Sequence, residues 1–99
     1  MIRGTTPTLT FQLPFACSQI TALNIAFAQK NQIVLEKTLR DCSMDGRTIT
    51  VRLSEEETLR FNSSQVVELQ LRLACGETKL ASNIMKTTAE RILKDGCLV

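Results

Sequence analysis

Between Val66 and Ala74 the chain reads VVELQLRLA, with Val67, Leu69, Leu71 and Leu73 on one side and Val66, Glu68, Gln70 and Arg72 on the other. Side chains alternate across a strand, so this pattern makes one aliphatic face and one charged face. That is the pattern of an antiparallel sheet packed on one side and wet on the other. The remaining segments must supply a second apolar layer. Thr8–Leu13 groups Leu9, Phe11 and Leu13 before Pro14 stops it, and Ala22–Gln29 groups Leu23, Ile25 and Phe27. Gln32–Thr38 follows with Ile33 and Leu35 inward and a mixed Val34/Glu36/Thr38 face, and Thr48–Leu53 places Ile49, Val51 and Leu53 together.

The punctuation between these runs agrees with them. Lys30-Asn31 suits a two-residue reversal because Asn tolerates the left-handed conformation, and Asp45-Gly46 is the strongest hairpin signal in the chain. Ser54 followed by Glu57 is a capping-box pattern that predicts one helical turn over Glu55–Leu59, after which Leu59 and Phe61 enter the core. Past the central strand, Cys75-Gly76-Glu77 makes a turn and Thr78–Ser82 pairs back. Ile84–Lys94 has apolar residues at helical spacing, but its Thr87-Thr88 pair and short approach from a hairpin predict a strand. Seven short strands at this spacing predict an all-β fold: a single Ig-like antiparallel β-sandwich over residues 1–99, with 1–7 as an irregular arm. With no Tyr, the corner typical of true Ig domains is missing, so Ig-like describes architecture and not ancestry.

Composition narrows the function classes. The 99 residues carry 12 basic and 10 acidic side chains, with no cationic cluster, and Phe11, Phe15, Phe27 and Phe61 are the only aromatics. A nucleic-acid partner, which needs a basic stripe and stacking residues, is therefore not expected. Neither is a membrane partner, because no run approaches the roughly 20 apolar residues of a span and the N-terminus lacks the apolar stretch of a signal peptide. The expected compartment is the cytoplasm of the cell that makes it. Cys17, Cys42, Cys75 and Cys97 are too far apart for a metal knuckle, and the chain has no His to complete a mixed site, so no metal and no cofactor are expected. Four cysteines allow three disulfide pairings, but a cytoplasmic chain favours free thiols.

Catalysis has little to draw on. Without His, the usual Ser/His and Cys/His pairs cannot form, and there is no glycine-rich phosphate loop. The acidic trio Glu55-Glu56-Glu57 reads as a solvated helix cap. The chain is therefore read as no enzyme.

Interaction is the better expectation. Neither Thr8–Leu13 nor Ala22–Gln29 carries a charge, so either is open to strand addition by another chain. Met1–Pro7 is too polar to build core, and Ile2 and Arg3 are expected to anchor in a neighbour. The candidate assembly contacts are Ile2, Arg3, Thr8, Thr10 and Gln12.

Four stretches, Met1–Thr8 (MIRGTTPT), Leu53–Phe61 (LSEEETLRF), Val66–Leu73 with its Gln70-Leu71-Arg72, and Ile92–Gly96 (ILKDG), resemble small proteins from the structural modules of tailed phages and of prophages in Gram-positive gut bacteria. The likeness runs over nearly the whole chain. More loosely, the chain is similar to the immunoglobulin-like N-terminal domain of phage baseplate upper proteins. The resemblance implies a virion or tail-assembly role, with other particle proteins or further copies of the chain as partners, and it carries over no site residue. The rival class is a small ligand- or carbohydrate-binding sandwich, which would have to work without the usual Trp or Tyr platform.

Overall fold

The computed structural model describes residues 1–98. Its strands are β1 (Thr8–Gln12), β2 (Ala22–Gln29), β3 (Gln32–Thr38), β4 (Cys42–Asp45), β5 (Thr48–Arg52), β6 (Gln65–Cys75), β7 (Thr78–Ala81) and β8 (Met85–Ala89), with one helical turn, α1 (Glu55–Leu59), between β5 and β6. They form two antiparallel sheets. One runs β1-β5-β4; the other runs β3-β2-β6-β7, with β8 also paired to β6.

The fold is thus the expected all-β sandwich, with eight strands rather than seven. The additional strand, β4, was not legible because Ser43, Met44 and Asp45 are all exposed and only Cys42 is half-buried, leaving no apolar alternation to read. Its partner β5 and the turn at Gly46 (φ +60°) hold it in place. The Lys30-Asn31 reversal is present, with both residues at positive φ (50° and 63°). The last predicted strand is shorter than 84–94, running Met85–Ala89, and residues 91–98 are irregular.

The core lies between the sheets. Leu23, Ile25 and Phe27 of β2, Val67, Leu69, Leu71 and Leu73 of β6, and Ile49, Val51 and Leu53 at β5 and its exit are all buried. Phe61, arriving from α1, packs edge-on against Phe27 with ring centroids 6.1 Å apart. Leu59, expected beside it, is only half-buried, and Thr58 is fully buried instead. The turn at Cys17–Gln19 buries Cys17, whose amide donates to the Gly46 carbonyl at 2.7 Å.

β6 is long enough to take two partners along one side. Its Arg72–Cys75 half pairs β7 and its Gln65–Leu69 half pairs β8. At the break, Ser82 substitutes for a ladder residue: its N–H donates to the Leu71 carbonyl (2.8 Å) and its Oγ accepts from the Leu71 N–H (3.0 Å).

β3 departs from the expected facing. The β2–β3 register shifts between Phe27 and Ala28, so Val34 is an extra residue, and alternation inverts across it. Leu35 and Lys37 face inward, whereas Ile33, expected inside, is 58% exposed.

The capping box is present, with the Ser54 Oγ accepting from Glu57 N–H (3.1 Å) and a Glu57 carboxylate oxygen accepting from Ser54 N–H (2.8 Å). Glu57 is not the solvated residue the sequence suggests. Its other oxygen sits 2.6 Å from the Lys37 Nζ, and both side chains are largely shielded from water. Burial pushes the Glu57 carboxyl up. The Lys37 hydrogen bond, the Ser54 amide and the Lys37 charge together outweigh it and hold the group below its ordinary value.

Candidate assembly interface

β1 pairs β5 on one side, and among the described residues no strand lies on its other side. The register runs Thr8↔Arg52 to Gln12↔Thr48, with Leu13 N–H donating to the Arg47 carbonyl (2.8 Å) and Leu53 N–H to the Pro7 carbonyl (3.0 Å). Hydrogen-bonded pairs alternate in an antiparallel ladder, so the odd positions, Leu9 and Phe11 included, bond to β5. The main-chain groups of Thr8, Thr10 and Gln12 point away from it. Among the described residues nothing in the chain bonds to those three N–H and C=O groups. Their side chains are exposed as well, while Leu9 and Phe11 are half-buried against the core.

A cleft of about 300 Å³ opens where β1 ends. It is lined by Leu13 and Phe15 from the exit of β1 and by Leu71, Leu73 and Leu80 from the opposing sheet. Leu80 is 41% exposed. The floor of the cleft is the margin of the core, left uncovered because β1 stops at Pro14.

Three of the five candidate contacts, Thr8, Thr10 and Gln12, therefore share one strand, one edge and one outer face. Ile2 and Arg3 do not join them. The arm is laid along its own fold, with Ile2 bridging in parallel to Glu90, Arg3 N–H donating to the Glu90 carbonyl (3.0 Å) and Glu90 N–H to the Met1 carbonyl (2.7 Å). Arg3 directs its guanidinium to the carbonyls of Phe61 (2.6 Å) and Leu59 (3.0 Å) and to Asp95 (2.8 Å). Gly4, at φ +73°, turns its N–H to the buried Thr58 Oγ1 (3.0 Å); a Cβ there would meet the Ile92 Cδ1 at 3.0 Å. The expectation of an arm with Arg3 free to anchor in a neighbour is corrected, because the carbonyls of Leu59 and Phe61 and the Asp95 carboxylate already take up its planar, forked donors within the chain. Ile2 remains 46% exposed.

The other uncharged strand is not an edge. β2 lies between β3 and β6, so strand addition to Ala22–Gln29 is closed off. The cysteine thiols are all free, from buried Cys17 to exposed Cys97. Burial, and then the Asp41 charge, raises the Cys42 thiol and disfavours its reactive thiolate. Among the described residues no group of three or more Cys, Asp or Glu side chains is placed to hold a metal ion, and no helix is long and apolar enough to cross a membrane.

Sequence reasoning marked Thr8–Leu13 as open to strand addition, but it missed the cleft and did not separate this edge strand from the interior Ala22–Gln29. The available signal was Pro7 and Pro14 bracketing the strand, since Pro in a sheet is confined to edges and strand ends. No protein-family model, no curated protein and no solved structure matches this chain.

Proposed function

We propose that this chain is a non-catalytic structural protein of a phage or prophage particle, associated with the virion, tail or baseplate and acting through protein–protein assembly. The observation that carries the reading is the bare β1 edge, where three consecutive outward-facing sets of main-chain donors and acceptors lie unpaired in a strand without one charged residue. The phage-module resemblance of Met1–Thr8, Leu53–Phe61, Val66–Leu73 and Ile92–Gly96, and the looser Ig-like likeness to baseplate upper proteins, supply the kind of particle. The cleft beside the edge offers leucines and Phe15, which suits the apolar side chains of an incoming strand better than the hydroxyls of a sugar. In this reading the protein is made in the bacterial cytoplasm and ends in the particle.

The test is mass spectrometry of particles purified by density gradient after induction of the bacterium that carries the gene. The chain is expected to co-sediment with the portal and tail proteins. Its presence in the lysate but absence from such particles would sink the reading.

A further inference from the structure

Four other edges of the two sheets differ chemically from β1. β4 has four residues and ends in Asp45, β7 carries Lys79, β8 carries Lys86, and β3 has a bulge at Val34 and charges at Glu36 and Lys37. Charges and bulges are devices by which proteins discourage strand addition; Thr8–Gln12 carries neither, and its flanking Pro7 and Pro14 lie outside the strand.

The pattern along β1 is also symmetric. Its outward-facing main-chain groups belong to Thr8, Thr10 and Gln12, evenly placed about Thr10. We infer that β1 pairs antiparallel with β1 of a second copy about a two-fold axis at Thr10, joining the two β1-β5-β4 sheets into one continuous sheet. This deepens the assembly reading above and rests on it by naming the partner.

The register follows from the hydrogen bonds already formed. With Thr10 opposite Thr10 of the second copy, Thr8 meets Gln12 and Gln12 meets Thr8, and each pair is of the hydrogen-bonded kind that exchanges both N–H···O bonds. A shift by one residue would oppose groups already bonded to β5, so the parity of the ladder is set by the intramolecular register. Pro14 ends the ladder, because it occupies the next outward position and has no N–H to give.

The side chains fit the same symmetry. On the outer face, Thr10 pairs with its copy, and no like charges meet because none of the five residues is charged. On the inner face, Leu9 stands opposite Phe11 of the second copy, and the reverse, at the closer non-hydrogen-bonded positions. Both residues are apolar and inward-facing, yet only half-buried. An added strand covers the side of each that the edge leaves open. The interface is isologous, so it closes as a dimer and does not propagate.

The decisive measurement is sedimentation velocity over a micromolar-to-millimolar dilution series of the wild type, of Thr10→Lys, of Thr10→Glu and of their equimolar mixture, with Ser43→Lys on the β4 edge as control. The wild type and the control are expected to dimerise alike. Each charged variant should self-associate more weakly by on the order of a hundredfold, since its two copies oppose like charges. The mixture should recover a dimer, since it pairs Lys with Glu across the axis.

A wild type that stays monomeric throughout overturns the self-pairing but leaves the particle reading to its own mass-spectrometric test. A dimer indifferent to either Thr10 charge, or lost in the Ser43 control, overturns the β1 interface. A mixture no stronger than its components overturns the Thr10-centred register. Should a variant not fold, amide exchange on the wild type decides. Protection of the Thr8, Thr10 and Gln12 N–H groups that grows with concentration supports the pairing, and rapid exchange at every concentration overturns it.

Discussion

β3 and β1 are both outer strands, and they are finished in opposite ways. β3 carries an extra residue at Val34, points Lys37 inward to Glu57 across a 2.6 Å ion pair, and shows Glu36 to solvent. β1 is regular, uncharged and unpaired on its outer side. A bulge bends the edge and an inward-pointing charge must be neutralised by the chain's own partner, so β3 is closed to added strands on both counts. The chain therefore has the means to blunt an edge and leaves one unblunted. A third margin, the extension of β8, is closed by the arm through Ile2 and Glu90. A bare edge beside two finished ones is what directs the assembly proposal to β1.

The comparison presupposes one core shared by both edges, and the largest effect tests that. Leu71→Ala, 3% exposed between the sheets, should destabilise the fold by about 2–5 kcal/mol in denaturant melts. A loss of less than about 0.5 kcal/mol would mean that the two sheets do not share a load-sharing interior at that position.

Next comes the blunted edge itself. Lys37→Ala leaves the shielded Glu57 without its cation and should cost about 2–3 kcal/mol, somewhat less than a deeply buried pair because both side chains keep some solvent contact. Lys37→Met together with Glu57→Gln should cost less than Lys37→Ala alone. If the double variant proves the worse of the two, the pair holds the fold more strongly than its burial suggests.

The arm comes third. Arg3→Ala removes two hydrogen bonds to main-chain carbonyls and should cost about 1–2 kcal/mol by thermal or chemical melting. Deleting residues 1–7, which an unattached arm would tolerate, should lower the melting temperature distinctly. An unchanged melting temperature would return the arm to the role expected of it from sequence.

Acid should separate the edges further. The Glu57 carboxyl is held below its ordinary value of 4.5 in the folded state, so its contribution is fully present above that pH and is lost as pH falls through the folded value. Asp41, lowered first by the Thr38 amide, acts in the same direction. Stability is expected to fall as pH drops below about 4.5, and less steeply in Lys37→Met, while the uncharged β1 contributes nothing to the slope. Identical slopes for the two proteins in denaturant melts at stepped pH would remove the ion pair from the account.

The smallest effect is expected on β1. Thr10→Lys and Gln12→Ala change exposed side chains that have no hydrogen-bond partner among the described residues, and monomer stability should move by no more than about 0.5 kcal/mol. A larger loss in a dilute sample would show that the outer face of β1 already has a partner within the fold.

Local rules carried much of the fold at the level of sequence. The alternation from Val67 to Leu73 places the central strand because strand side chains alternate without exception unless a bulge intervenes. The Ser54–Glu57 pair marks α1 because a hydroxyl and a carboxylate three residues apart satisfy each other's amides. The Lys30-Asn31 reversal is set by the few residues that accept positive φ. These signals are short-range, so the sequence alone determines them. What required the tertiary structure is long-range. Thr8–Leu13 and Ala22–Gln29 are equally uncharged, yet only strand order makes β1 an edge and β2 an interior strand. The bulge at Val34 is invisible in composition, since it is defined by a register with β2 and inverts Ile33 without changing a residue. Arg3 finds Phe61 and Leu59, and Lys37 finds Glu57, across sequence distances that no local pattern encodes. A strand's pattern says which faces it has; only its neighbours decide which of its edges is left for another chain.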